Sequence, residues 1–210
     1  MMDGGIYDQV MGGFHRYAVD REWLVPHFEK MLYDQAQLME LYLDAWQITG
    51  EQEFRQVVEG IANYVLRDLT HPEGGFYCAQ DAQSEGKEGK CFCWTEGELS
   101  ALLTADEMKV AREILGVSEE GNFIDQSDPE PLPNLNILSF KKPRTDLSES
   151  ETKSVAGIFK KLAEVRGKRV PPATDDKILA SWNGLMIGAM ARTGRVLSCL
   201  LYTSPSPRDS

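Results

Sequence analysis

The amino-acid sequence predicts an all-α protein, and more narrowly a partial (α/α)6 toroid with a small β-hairpin insertion. Three observations carry that expectation. Helices that are apolar on nearly every side alternate with helices that are apolar along one stripe. A glycine-punctuated, cysteine- and aromatic-rich segment interrupts the series. A short motif also recurs along the chain. A helix without a wet face belongs between other helices, whereas one buried stripe marks a surface helix. A plain bundle would show a single stripe on every helix, so the alternation favours an inner ring within an outer ring.

The elements follow in order. Residues 26–49 read as the first all-round apolar helix, with Pro26 at its first position and Gly50 just past its end. Phe28, Met31, Leu32, Tyr33, Leu38, Met39, Leu41, Tyr42, Leu43 and Trp46 cover most of its circumference. Residues 52–69 are one-sided: Phe54, Val57, Val58, Ile61, Ala62, Val65, Leu66 and Leu69 recur at helical spacing. Residues 71–94 read as a β-hairpin excursion with its loop at 84–90. A short helix at 95–103 carries a capping box, Thr95 with Glu98. Another helix covers 106–115, and 116–144 is proline-rich and irregular. Residues 148–166 form a second one-sided helix, burying Val155, Ile158, Phe159, Leu162 and Ala163. Pro171 and Pro172 then precede a second all-round apolar helix at 176–191, whose N-terminus Asp175 and Asp176 are placed to cap. Gly4-Gly5-Ile6-Tyr7 recurs as Gly74-Gly75-Phe76-Tyr77, and Trp23 and Trp94 are similarly spaced. The repeat fits stacked hairpin units.

Composition bounds the partners. The chain has 210 residues, 42% of them hydrophobic, a formal net charge of -11 and a pI near 4.8. Nucleic acid and anionic membranes need a basic footprint, so neither is expected as a partner. No apolar run is long enough to span a bilayer. The N-terminal MMDGGIYDQV shows no signal peptide, which favours an intracellular setting. The four cysteines, Cys78, Cys91, Cys93 and Cys199, contain no C-x-x-C pair. Cys91 and Cys93 share a face if their segment is a strand. Without a nearby histidine they make a poor zinc site, and buried thiols are the simpler reading. No metal or cofactor is called for, and no protein partner is indicated.

Three blocks carry a family resemblance: GGIYDQVMGGFHRYAVDREWLVPHFEKMLYDQAQL, PEGGFYCAQDAQSEGKEGK and TDDKILASWNGLMI. In this order they resemble the spermatogenesis-associated protein 20 family. Such thioredoxin-domain-containing proteins join an N-terminal thioredoxin-like domain to a six-hairpin toroid similar to those of N-acylglucosamine epimerases and some glycosidases. The resemblance spans residues 4–197 and implies one partial toroid domain there. A role in carbohydrate metabolism follows only by analogy of fold. Three departures stand out. The thioredoxin-like domain has no counterpart here. Met11 and Gln83 replace a glycine and an aspartate of the family pattern. Residues 198–210 match nothing in it and are expected to be disordered or an artefactual tail. A toroid of about twelve helices needs about 300 residues or more, so the chain is expected to be a fragment with an apolar open edge.

The candidate site lies in residues 12–35. On a helix starting at Pro26, His27, Lys30 and Asp34 would share one stripe. His15, Arg16 and Tyr17 follow the Gly12-Gly13 turn. In an epimerase-like reaction a base removes a proton beside a carbonyl and an acid returns one. His15 and His27, with Asp34, are the catalytic candidates because imidazole titrates near neutrality. Arg16, Lys30 and Asp81 are expected to bind substrate polar groups, and Tyr17, Trp23 and Trp182 to stack on a sugar ring. A buried histidine that satisfies only backbone or carboxylate partners is the competing reading for both histidines, and His71 reads as a turn residue. A glycosidase would need two carboxylates, for which Asp20, Glu29, Asp34, Asp81, Asp175 and Asp176 are available. The reading is therefore a fragment of a glycosidase- or epimerase-like domain that binds or turns over a small sugar and is inactive alone. The alternative is a non-catalytic interaction or structural domain. A redox role is disfavoured without a C-x-x-C pair.

Overall fold

The computed structural model describes residues 1–197. The expectations for Cys199 and the 198–210 tail lie outside the described residues. In chain order the elements are β1 (Tyr17–Ala18), β2 (Pro26–His27), β3 (Lys30–Met31), α1 (Leu32–Thr49), α2 (Gln52–Asp68), β4 (Ala79–Gln80), β5 (Gln83–Ser84), β6 (Lys87–Glu88), α3 (Glu96–Leu102), α4 (Ala105–Leu115), α5 (Glu149–Arg166), β7 (Thr174–Asp175) and α6 (Ala180–Val196). The protein is mostly helical, with 6 helices among the described residues and a few very short strands. It divides into two compact units. Among the described residues, one comprises Met1–Glu29 and Gln80–Ala173; the other comprises Lys30–Ala79 and residues 174–197.

In the first unit, α4 packs on both α3 and α5. Trp94, Leu99, Met108, Ile114, Leu115, Ile158 and Leu162 form the core there. All three helices start as the sequence implies. Thr95 with Glu98, Thr104 with Glu107, and Ser148 with Glu151 each form a reciprocal capping box. A second cluster gathers Phe28, Ala82, Cys93, Leu135 and Ile137.

In the second unit, α1 packs against both α2 and α6. Val57, Val58, Ile61, Ala62 and Val65 of α2 are fully buried, as its one-sided pattern requires. Gly50 ends α1 in the left-handed region at φ 76°. The all-round apolar character of α1 and α6 leaves large side chains in water: Leu41 is 57% exposed, Ile48 84%, Leu185 49% and Ile187 54%.

Three expectations are corrected. The first helix begins at Leu32, not Pro26, because tertiary strand pairing overrides the local signal. Pro26 and His27 pair antiparallel with Ala18 and Tyr17, and Lys30–Met31 joins β4 and β7 in a three-stranded sheet. Proline holds its predecessor extended and is tolerated at the start of a short edge strand. The leading amide of α1, Leu32 N–H, donates to the Cys78 carbonyl at 2.9 Å instead of to a capping side chain. Consequently His27, Lys30 and Asp34 share no helical stripe.

The last helix begins at Ala180, with Leu179 at its N-cap and no side-chain cap. Asp175 lies in β7 and pairs with Lys177 at 2.8 Å, so neither Asp175 nor Asp176 caps the helix. The hairpin is also shorter than expected. Gln83↔Glu88 and Ser84↔Lys87 pair across a Glu85-Gly86 turn with both φ values positive. Cys91 and Phe92 lie in a following turn, not on a strand.

The motif repeat has no common structural role. A Cβ at Gly4 would sit 2.4 Å from the Trp23 carbonyl oxygen, so close backbone approach demands glycine there. Gly74 and Gly75 serve a positive-φ turn instead. The following Phe76 exchanges backbone hydrogen bonds with the Asn183 side chain at 2.7 and 2.9 Å.

Candidate functional site

The segment before β2 is shaped by one carboxylate. Asp20 accepts hydrogen bonds from the backbone N–H groups of Glu22 (2.7 Å), Leu24 (3.1 Å) and Val25. This clamp holds Trp23 at φ 62°, a conformation that non-glycine residues adopt rarely. Burial pushes the Asp20 carboxyl up, but the N–H groups of Val25, Leu24, Glu22 and Trp23 together outweigh it and leave it below the ordinary carboxylate value. The clamped loop delivers Pro26 and His27 to their pairing with β1.

Pairing sets His27 against Tyr17, their rings stacked at 5.0 Å and 23°. The His27 Nδ1–H donates to Glu88 Oε1 at 2.8 Å, and the Phe28 N–H reaches the same oxygen at 3.2 Å. On the other side of the ring, Nε2 is 3.5 Å from Glu29 Oε2. Glu29 in turn pairs with Arg16 Nη1 at 2.8 Å. A carboxylate on Nδ1 fixes the tautomer and leaves Nε2 as the basic nitrogen of neutral imidazole. Tyr17, Asp20, His27 and Glu88 line a cavity of about 620 Å³, closed on another side by residues from Asn122 to Ser127. That volume suits a small-molecule site, for which about 300–1,000 Å³ is usual.

The remaining candidates are dispersed. His15 is 3% exposed, donates through Nδ1 to the Phe28 carbonyl at 2.9 Å and packs edge-on against Phe28 and Phe92. It borders a void of only about 20 Å³, separate from the His27 cavity. Trp23 is 43% exposed on the clamped loop. Asp81 Oδ1 accepts from the Gln83 N–H at 3.3 Å, an ordinary turn contact. Lys30, Asp34 and Trp182 belong to the other unit. There Lys30 is 1% exposed with Nζ 4.4 Å over the Tyr64 ring, Asp34 sits in the first turn of α1, and Trp182 packs edge-on against Tyr33 at 4.7 Å. His71 is a turn residue whose Nδ1 accepts from the Glu73 N–H at 3.0 Å.

Sequence reasoning missed Glu88, 61 positions from His27. Its signal was faint: a lone carboxylate between two glycines, Gly86 and Gly89, both at positive φ. A Cβ at Gly89 would come within 2.7 Å of the Phe28 ring, so the hairpin lies tight against the residue after His27.

No family model matches the chain. It is 41% identical to human spermatogenesis-associated protein 20 over 94% of its own length, and 40% identical to the mouse protein over the same share. An uncharacterized protein of Caenorhabditis elegans is 35% identical over 91% of the chain. The chain spans 28% of the length of the human and mouse relatives. It therefore matches a segment of the spermatogenesis-associated protein 20 family.

Proposed function

We infer that the chain is part of an (α/α) toroid of the six-hairpin glycosidase and epimerase kind, and that the His27 cavity binds a small sugar. The observation that carries this reading is the Glu88–His27–Glu29 arrangement beside a stacked, half-exposed tyrosine in a cavity of suitable size. The placement of α1 between α2 and α6 supports the toroid.

In this reading Glu88 orients the imidazole and Nε2 takes a proton from a carbon beside a carbonyl. The imidazolium so formed is held between Glu88 and Glu29 until the proton returns. Tyr17 offers an aromatic face to the sugar ring. His27 alone carries the proton transfer; His15 orders the backbone behind it. The missing length of the relatives fits a segment that is inactive by itself.

Saturation-transfer NMR on the 210-residue chain with N-acetylglucosamine and glucose tests the reading. At least one sugar is expected to bind, and His27→Gln and Glu88→Gln are each expected to weaken it about tenfold, equivalent to about 1.4 kcal/mol. The 210-residue chain is expected to bind sugar without deuterium uptake at C2 in D2O, since proton transfer is assigned to the longer protein. Absence of binding, or equal binding by both variants, would sink the sugar reading. The interaction-domain alternative, which the water-exposed Leu41, Ile48, Leu185 and Ile187 favour, would then stand.

A further inference from the structure

The His27 cavity has a charge of its own, and that charge selects what it can hold. Asp20, Glu88 and Asp125 line it, and no lysine or arginine does. The basic residues of the surrounding segments are engaged elsewhere or stand outside. Arg16 Nη1 pairs with Glu29 Oε2 at 2.8 Å. Lys87 precedes Glu88 in β6, so the two side chains leave the strand on opposite faces. Its Nζ is 2.6 Å from Asp128 Oδ2 and donates to the Glu130 carbonyl at 2.7 Å. Arg21, next to Asp20 in the chain, is exposed and takes no part in the lining.

The three carboxylates are not equally free. Asp20 is spent on the backbone N–H groups of its own loop. Glu88 uses Oε1 for His27 and for the Phe28 N–H. Asp125 uses Oδ1 for the N–H and hydroxyl of Ser127, at 2.9 and 2.6 Å. Glu88 Oε2 and Asp125 Oδ2 accept no hydrogen bond among the described residues, and neither is enclosed. Tyr17 adds an independent preference. One face of its ring is stacked on His27, yet the residue is 49% exposed, so aromatic surface stays open beside these oxygens. An aromatic face held in place near carboxylate oxygens attracts ammonium groups and disfavours anions.

We propose that the ligand of this cavity is a monocation: a sugar carrying a free, protonated amine in place of an N-acyl or acid group. The open oxygens of Glu88 and Asp125 hold the ammonium, and the ring lies against Tyr17. The net charge of -11 on the whole chain favours the approach of such a cation. The proposal rests on the sugar reading for the ring, but not for the charge.

Glucosamine, N-acetylglucosamine and glucuronate are the sugar probes, titrated against the 210-residue chain at pH 7 by ligand-observed NMR. Cyclohexylammonium and cyclohexanol accompany them as six-membered rings without sugar hydroxyls. Glucosamine is expected to bind about fivefold tighter than N-acetylglucosamine, with glucuronate weakest, and cyclohexylammonium about fivefold tighter than cyclohexanol. Added salt is expected to shrink both preferences. Asp125→Asn keeps an oxygen for Ser127, and Ile124→Lys adds a charge at a 53% exposed position of the same wall. Each is expected to cut the glucosamine preference about threefold. Equal binding of glucosamine and N-acetylglucosamine, or tightest binding of glucuronate, would overturn the proposal and leave the sugar reading intact. An amine preference that neither variant alters would overturn it as well. Selective binding of cyclohexylammonium with no sugar bound would uphold the charge assignment and sink the sugar reading. If no probe binds, both fall.

Discussion

At the scale of single residues, environment rather than identity decides chemistry. His15 and His27 are alike in sequence terms, both close to aromatic and basic neighbours. In the structure one is enclosed by phenylalanines and the other opens onto a cavity with a carboxylate on each side. The cysteines make the same point. Burial pushes the Cys78 thiol up to about 11, assisted by the neighbouring Asp175. Since the thiolate is the reactive form, Cys78 is expected to resist iodoacetamide at pH 8 in the native chain and to react once urea unfolds it. Peptide mass spectrometry reads this directly, and native labelling at a rate matching that in urea would contradict it. The buried-thiol reading of Cys78, Cys91 and Cys93 was legible from the absence of metal-ligand spacing, and all three are buried. Glu88 was not legible, because nothing local ties a hairpin carboxylate to a histidine far back in the chain.

At the scale of elements, helix ends governed by local chemistry were readable and those governed by neighbours were not. Thr95/Glu98 announced α3, and the Thr104/Glu107 and Ser148/Glu151 boxes follow the same rule. The Glu151 carboxyl is held down to about 2 by the Lys142 ammonium and by the Ser148 N–H and hydroxyl. Because the folded value is depressed, its contribution is fully present above the ordinary glutamate value of about 4.3. It is lost as pH falls through about 2. An NMR titration is expected to place the Glu151 midpoint near 2, and Lys142→Ala to move it upward. An unchanged midpoint would show that the cap alone depresses it. Ser148→Ala is expected to cost about 1 kcal/mol in urea unfolding. By contrast α1 and α6 start late, at Leu32 and Ala180, without side-chain caps. The start of α1 follows directly on the pairing of Lys30–Met31 in β3.

At the scale of the whole molecule, long-range polar links hold segments that no periodicity connects. In the first unit Arg166, at the end of α5, makes two hydrogen bonds to Asp8, one of them 2.7 Å from Nη1 to Oδ1. Both side chains are almost fully buried, at 6% and 3% exposure, and the Arg166 guanidinium lies 5.2 Å over the Phe92 ring. Removing one partner leaves a buried charge uncompensated, so Asp8→Ala is expected to cost about 3–5 kcal/mol. Replacing both residues by apolar side chains of similar size should cost much less. Urea unfolding of the single and double variants checks this, and a loss below about 1 kcal/mol in Asp8→Ala would mean that water already compensates Arg166.

The sequence by itself determined the helical character, the one-sided α2 and α5, the Thr95/Glu98 capping box and the Gly50 stop, because each depends on contacts within a turn or two of helix. It singled out His27 and Tyr17, which share a cavity in the structure, but not Glu88 beside them. Only the tertiary structure decided that Pro26–His27 and Lys30–Met31 would be short strands rather than part of a helix. The same level decided that His27 would meet Glu88 while His15 would not share its cavity, and that the chain would divide into two compact units. Those outcomes rest on pairing and burial between residues dozens of positions apart, where the energy of a distant strand or carboxylate exceeds the small local preferences that a sequence displays.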